Sequence, residues 1–194
     1  MTGHDRRYEL ITINIRPELV HIQTKHRFYS TVYLNYVSIS YRHTFFKFLH
    51  NTLNLNCRLS HFKLDVERGC HFCTIAKSRH IEDETYTHIF ILCPNLQQIR
   101  TSMTELLNFT NFSISEILTG STADSRDNYE FANLIILMYI NFIMSYKLSS
   151  SIPTWRSFLS SVTFTIRTAM TVSKGFSNRM GFLIKKNPHL SFLE

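Results

Sequence analysis

The sequence predicts a mainly α-helical protein, a small helical bundle, and leaves open a short strand pair near the N-terminus. Three observations favour this fold class. Apolar residues recur at spacings of three and four in several long segments, as they do along one face of a helix. Only five glycines and four prolines occur in 194 residues, so long flexible linkers are not expected. A 44% hydrophobic content is enough to bury a sizeable core around a cysteine- and histidine-rich segment.

Strand and helix signals alternate before that segment. Residues 11–16 alternate isoleucine with polar residues, which is the period of a half-buried strand, and residues 32–40 are a candidate partner strand. From Tyr41 to Leu53, aromatic residues recur at helical spacing, which predicts a helix whose aromatic face belongs to the core. A shorter helical piece over residues 58–64 then leads into the cysteine cluster.

The segment CHFCTIAKSRHIEDETYTHIFILCP places three thiols and an imidazole at the spacing of metal ligands. Its C-x2-C pair can grip an ion from a tight turn, and a histidine followed five residues later by a cysteine can close a tetrahedron. The predicted ligands are Cys70, Cys73, His88 and Cys93. Because four protein ligands leave no open position, we interpret the group as a structural zinc site. His71 and His80 are the alternative nitrogen ligands.

One other interpretation of the cysteines stays open. Free cysteine is often only a small buried apolar group, and Cys57, outside the cluster, is interpreted in that way. In a zinc complex, three thiolates and a neutral imidazole leave one net negative charge, which Arg68, Lys77 and Arg79 lie close enough in sequence to offset.

The sequence patterns that predict helices are stronger after the cysteine cluster. Pro94 suits the first turn of a helix that continues to about Phe109. That start places Cys93 at a helix N-terminus, where the positive end of the dipole lowers the pKa of a thiol. A capping box at Ser113 and Glu116 opens a short helix that Gly120 ends.

Two long helices are predicted in the last third of the chain. The helix from Asn128 to Leu148 is apolar on nearly all sides and should therefore be central. The next helix runs from Pro153 to about Lys174, and Gly175 is expected to stop it. Residues 176–194 mix basic and apolar side chains and are interpreted as a solvated basic tail.

Membrane contact and secretion are not expected. The apolar run over residues 131–146 would be about 24 Å long as a helix, shorter than a hydrocarbon core of about 30 Å. The first residues, MTGHDRRYEL, have no apolar signal core. Three clustered cysteines with one apart do not look like a secreted disulfide framework. These patterns favour an intracellular protein and leave nucleus or cytoplasm undecided.

The run FFKFLHNTLNLNCRLSHFKLDVERGCHFC, followed by EDETYTHIFILCPNLQQIR, resembles the zinc-binding domain at the C-terminal end of non-LTR (LINE-type) retrotransposon reverse transcriptases. In that family, an aromatic helix with a FxxLHNxLxxNxRL-like pattern precedes a CxxC turn. A segment with an ET pair, here Glu84 and Thr85, and a closing HxFxxCP element follow. The resemblance covers roughly residues 41–148 and implies the same four zinc ligands.

Two departures from the family pattern are clear. Fourteen residues separate Cys73 from His88, more than the family's usual connection, and SRHIED looks like an insertion. The chain has neither the paired aspartates of a polymerase nor an upstream endonuclease. It therefore looks like a free-standing C-terminal piece, a truncated copy or a co-opted descendant of such an element, and we expect no enzyme activity from this chain.

The predicted organisation has four parts. Residues 1–40 form an N-terminal segment, 41–110 the zinc-binding helical domain, 111–175 C-terminal helices that pack on it, and 176–194 the basic tail. A formal charge of +7 favours a polyanionic partner. With the resemblance, this predicts a module that contacts the phosphates of RNA or DNA. The side chains expected at that interface are Arg68, Lys77, Arg79, His80 and Arg100, with Lys63 and His71 behind them.

Two alternatives to nucleic-acid binding remain. The first is a protein interaction or assembly module whose apolar helices dock a reverse transcriptase domain or a second copy of the chain. The second is a truncated retroelement fragment without a function of its own.

Overall fold

The computed structural model describes residues 37–62, 65–107, 126–186 and 188–193. Within these ranges the chain is mostly helical and has no β-strand, which confirms the predicted fold class. A single antiparallel bridge joins Gly69 to Asp83. Three predicted features lie outside the described residues: the strand over residues 11–16, the capping box formed by Ser113 with Glu116, and the interface residue Lys63.

The described residues form seven α-helices. They are α1 Ile39–Leu49, α2 Asn56–Leu59, α3 His71–Ile75, α4 Gln97–Leu107, α5 Arg126–Tyr146, α6 Trp155–Val172 and α7 Lys174–Lys186. Short 3-10 turns cover Ser60–Phe62, Pro94–Leu96 and Pro188–Leu193. A five-residue π-turn covers His88–Leu92.

The aromatic helix is confirmed as α1, with both ends set by local chemistry. The Ser38 hydroxyl caps its start by accepting a hydrogen bond from the Tyr41 N–H at 3.3 Å. The helix ends four residues earlier than expected, because Asn51 takes a left-handed conformation with φ of 56°. Thr52 N–H then bonds the Lys47 carbonyl at 2.8 Å, which completes a Schellman-type stop.

The predicted central position of the apolar helix is also confirmed. Every residue from 131 to 140 of α5 is buried, and α5 packs against α1 on one side and α6 on another. Helices buried on all sides need apolar residues all round, as the sequence of this segment has.

A row of aromatic rings crosses the core from α1 to α6. Phe48 meets Phe90 edge-on at 5.2 Å between centroids, and Tyr139 then contacts both Phe90 and Phe158 at 6.1 Å. Edge-to-face contacts of this kind are favourable beyond the area they bury. The buried Tyr139 hydroxyl donates to the Phe90 carbonyl at 3.1 Å, which satisfies its one polar group. Burial raises the pKa of Tyr139, so the hydroxyl keeps its proton.

The end of the chain differs from the prediction. Helix α6 begins with a capping box between Thr154 and Ser157 but ends at Val172, with Ser173 as its C-cap, and Gly175 lies inside α7 instead of stopping a helix. Residues 176–186 are therefore helical, not a solvated tail. The reason is an apolar stripe at helical spacing, which α7 buries against α6. Its buried members are Phe176, Met180, Leu183 and Ile184.

No helix of the described residues is both long and apolar enough to span a membrane.

Replacing Phe158 by alanine should destabilise the fold by about 3–5 kcal/mol, because a fully buried ring leaves a cavity among its aromatic neighbours. Urea denaturation followed by circular dichroism measures the change. Phe164→Ala is the matched control, since that ring lies on the same helix and is 74% exposed. The control should change the free energy of unfolding by less than about 0.5 kcal/mol. Equal losses in the two variants would contradict the packing of α6.

Candidate metal centre

The C-x2-C pair lies at the start of α3. Cys70 is the residue before the helix and Cys73 lies in its first turn, so both sulfurs lie on the same side of the turn. The Cys73 N–H donates a hydrogen bond to the Cys70 sulfur. After α3 the chain turns back at Lys77, which has a φ of 50°. The Ser78 N–H then bonds the Cys73 carbonyl at 3.0 Å and closes the turn.

The second pair of predicted ligands lies at the two ends of the π-turn, where His88 is the first residue and Cys93 follows the last. The Cys93 N–H donates to the His88 carbonyl at 2.6 Å, so the five-residue spacing between these ligands is closed by one i→i+5 hydrogen bond. The Thr85 hydroxyl accepts from the His88 N–H at 3.1 Å and caps the start of this turn. Cys93 precedes the 3-10 turn that runs into α4, and its sulfur accepts a hydrogen bond from the Asn95 N–H.

The two pairs converge on one point. All four ligand atoms lie within 4.8 Å of one another, and all four residues are buried. The Cys93 sulfur lies 3.9 Å from that of Cys70 and 3.8 Å from that of Cys73. The Cys73 sulfur lies 3.5 Å from His88 Nε2.

These separations match the edges of a coordination tetrahedron. Metal–sulfur bonds of about 2.3 Å and metal–nitrogen bonds of about 2.0–2.1 Å give edges of about 3.8 Å between sulfurs and about 3.5 Å between sulfur and nitrogen. The cysteines form no disulfide. The group therefore has the chemistry and the size of a metal-binding site.

The thiols do not ionise equally. The hydrogen bond that Cys70 donates to Cys93 raises the pKa of Cys70, and burial adds a smaller increase. The same hydrogen bond lowers the pKa of Cys93. Burial raises the pKa of Cys73. Three thiolates crowded in a buried space repel one another, so a cation is needed to hold all of them in the ionised form.

The alternative nitrogen ligands lie elsewhere. His71 Nε2 donates to the Ser149 carbonyl at 2.9 Å, which ties α3 to the chain just after α5. His80 is exposed and is not part of the cluster. Cys57 is half-buried against the core, apart from the other three thiols.

The metal cluster is joined to the helical bundle by a buried carboxylate. Glu84 has no exposed surface, and its two oxygens accept hydrogen bonds from the Asn56 N–H at 2.9 Å and the His71 N–H at 2.8 Å. The ammonium group of Lys147, at the end of α5, forms a salt bridge with the same carboxylate. Glu84 therefore holds together the starts of α2 and α3 and the end of α5.

Asn56 and Lys147 complete this network. Lys147 also donates to the Asn54 carbonyl at 2.7 Å and to Asn56 Oδ1 at 3.2 Å, while Asn56 Nδ2 donates to the Gly69 carbonyl at 2.8 Å. A buried charge pair is tolerated when its remaining hydrogen-bonding groups are satisfied in this way. Glu84 thus caps the starts of two short helices, and its partner Lys147 is one that no local sequence pattern indicated.

Four of the five side chains predicted at the nucleic-acid interface are exposed. Lys77, Arg79 and His80 are exposed on the loop that follows α3. Arg68 is also exposed but forms a salt bridge with Asp83 at 2.6 Å.

Arg100 is a correction to the predicted interface. Its residue is only 7% exposed, and its guanidinium donates to the Cys93 carbonyl at 2.7 Å. It also hydrogen-bonds the Tyr139 hydroxyl. Arg100 lies on the same face of α4 as Ile99 and Met103 and is therefore drawn into the core. Its charge is placed to balance a thiolate-rich centre rather than to bind phosphate.

Removing the metal, or one ligand, should unfold the middle of the chain, because coordination joins two segments that have little other structure. We expect Cys93→Ser to lower the free energy of unfolding by about 4 kcal/mol or more. Cys57→Ser is the matched control and should have a much smaller effect. Elemental analysis of the purified wild type should find one metal ion per chain. An unaltered unfolding curve for Cys93→Ser would contradict the site.

Glu84→Gln should lower the free energy of unfolding by about 3–5 kcal/mol, because it leaves the Lys147 ammonium, whose side chain is only 10% exposed, without its counter-charge. Asp83→Asn removes the neighbouring exposed salt bridge with Arg68 and should lower the free energy of unfolding by less than about 1 kcal/mol. Combining Glu84→Gln with Lys147→Met should restore part of the lost stability, since no unpaired charge then remains. Urea denaturation of the four proteins measures these differences. A double variant less stable than Glu84→Gln alone would count against this account.

Comparison with known proteins adds no family to this description. A scan against protein-family models found no matching family, and searches of curated proteins and of solved structures found no match. The geometry of the four-ligand cluster and the charges around it are therefore the basis on which a function is assigned.

Proposed function

We propose that the cluster binds Zn²⁺ in a structural role. Three thiolates and one imidazole in a tetrahedral arrangement are a common zinc donor set, and soft sulfur ligands disfavour Mg²⁺ and Ca²⁺. All four side chains are buried, their ligand atoms lie within 4.8 Å of one another, and four ligands are the number that a tetrahedral zinc shell holds. A closed shell leaves no position for a substrate or an activated water, so the ion stabilises the fold.

We further propose that this zinc-stabilised domain binds RNA or DNA through phosphate contacts. The observation that carries the proposal is the loop after α3, where Lys77, Arg79 and His80 are exposed. In the described part of the chain, no carboxylate forms a salt bridge with these residues. Basic side chains without an acidic partner are available to a polyanion.

Two of the three acidic residues that follow this loop are neutralised by other cations. Asp83 pairs with Arg68 and Glu84 pairs with Lys147. Glu82 contacts the imidazole of His88. The surplus of positive charge on Lys77 and Arg79 gives binding that depends on salt and has little sequence preference.

We also propose that the chain is related to the C-terminal zinc-binding part of non-LTR retrotransposon reverse transcriptases. The order of the motifs supports this relation, from the aromatic pattern through the CxxC turn and ET pair to the HxFxxCP element. The roles of two motif residues, Asn56 and Glu84, give a physical reason for that order, since both hold the cluster against the bundle. A polymerase encoded next to this chain would support the relation.

Self-association or docking to a reverse transcriptase domain is a second candidate function. It is favoured by apolar side chains exposed on α6, where Phe164 is 74% and Val172 80% exposed. Sedimentation over a range of concentrations distinguishes this candidate. A concentration-dependent dimer that Phe164→Ser abolishes would favour assembly as the function.

Charge reversal on the loop tests the nucleic-acid proposal. Arg79→Glu, alone and with Lys77→Glu, should weaken binding to short single- and double-stranded RNA and DNA without unfolding the protein. Each lost phosphate contact should reduce the slope of log affinity against log salt by about one. Fluorescence anisotropy between about 50 and 200 mM salt measures both quantities.

Arg167→Glu on α6 is the matched control, because it makes the same change in net charge at another exposed position. It should retain most of the affinity. Equal weakening by Arg79→Glu and Arg167→Glu would remove the assignment to this loop. The absence of salt-sensitive binding by the wild type at low salt would overturn the nucleic-acid proposal as a whole.

A further inference from the structure

Glu82 contacts both halves of the candidate metal centre. Its carboxylate accepts a hydrogen bond from His88 Nδ1 at 2.9 Å. Its backbone carbonyl accepts a hydrogen bond from the Cys70 N–H at 2.8 Å, beside the bridge between Gly69 and Asp83. One residue therefore touches the first ligand of the C-x2-C turn and the only nitrogen ligand.

The hydrogen bond to Glu82 decides which nitrogen of His88 faces the other ligands. A carboxylate accepts and does not donate, so Nδ1 carries the proton. In the neutral ring the lone pair is then on Nε2, which is the atom that lies 3.5 Å from the Cys73 sulfur. Rotation of the ring about its axis would break the contact with Glu82 and turn Nε2 away from the cluster.

Burial does not explain the position of the Glu82 side chain, because about half of it is exposed, with a side-chain exposure of 52%. The His88 side chain that it contacts is only 4% exposed. An exposed carboxylate that reaches a buried imidazole loses conformational freedom and gains little as a surface ion pair. The arrangement is explained if the ring must be held in one orientation and one tautomer.

We infer that Glu82 is a positioning residue of the metal centre, which orients His88 and keeps the lone pair of its Nε2 directed at the other ligands. The inference rests on the proposed zinc site and adds to it a residue outside the four ligands. Outer carboxylate partners of this kind strengthen metal binding through the histidine that they hold. The Glu82 carboxylate also adds negative charge next to the thiolates, and the buried guanidinium of Arg100 at Cys93 opposes it.

The test is the zinc affinity of the full chain, measured by competition with a chromophoric chelator at fixed pH. Glu82→Ala should weaken zinc binding by about 10- to 100-fold, the loss typical of an outer-shell partner. Glu82→Gln keeps an acceptor of the same size without the charge and should lie between Glu82→Ala and the wild type. Glu67→Ala is the matched control, because it removes the same charge from an exposed position before Cys70.

A spectroscopic measurement separates positioning from a general loss of structure. In the zinc-loaded wild type, the His88 Nδ1 proton should give a slowly exchanging, strongly downfield NMR signal, because a carboxylate accepts it. The signal should disappear in zinc-loaded Glu82→Ala, while the helical circular dichroism of that sample stays as in the wild type.

The outcomes distinguish the two proposals. A wild type that binds no stoichiometric zinc would overturn the zinc site itself. Tight zinc binding by the wild type, with Glu82→Ala within about twofold of Glu67→Ala, would overturn only the role of Glu82, since the loss expected of an outer partner is at least about 10-fold. Retention of the downfield proton in Glu82→Ala would overturn it as well.

Discussion

The convergence of three sulfurs and one ring nitrogen is the constraint on which the middle of this protein depends. The segments that carry them are short, since α3 and the π-turn have five residues each, and such pieces have little stability of their own. A single antiparallel bridge and a few hydrogen bonds connect them. In the proposed zinc site, coordination of one ion by all four groups gives these segments a common centre and accounts for buried thiols that lie so close together without a disulfide.

The metal centre does not stand apart from the helical bundle. On its polar side, Glu84 and Lys147 join the starts of α2 and α3 to the end of α5 through a buried network in which the charges are paired. On its apolar side, the ring of Phe90 in the π-turn lies between Phe48 and Tyr139. The same short turn therefore carries a metal ligand and a core aromatic, and a change in one affects the other.

Some basic side chains around this centre lie in the interior of the protein, and others lie on its surface. Arg100 at the Cys93 carbonyl is buried, Lys147 at Glu84 has a side chain only 10% exposed, and each serves the fold. The loop after α3 carries its basic side chains outside, and two of the three acidic residues that follow it pair with other cations. A buried cation is valuable for neutralising a thiolate-rich or carboxylate-rich interior, whereas only an exposed one can meet a phosphate. Net charge alone does not make this distinction.

Local patterns in the sequence were sufficient to identify the fold class, the apolar character of α5 and the four residues that cluster as candidate ligands, because helical periodicity and C-x2-C spacing are properties of short segments. They also predicted α1, although the left-handed turn at Asn51 ends it early. Tertiary structure alone decided that Arg100 is buried, that Glu82 contacts His88, that Glu84 pairs with Lys147 from 63 positions away, and that α7 packs as a helix on α6. The physical reason is that burial and charge pairing depend on which distant segments meet, and a one-dimensional pattern does not contain that information.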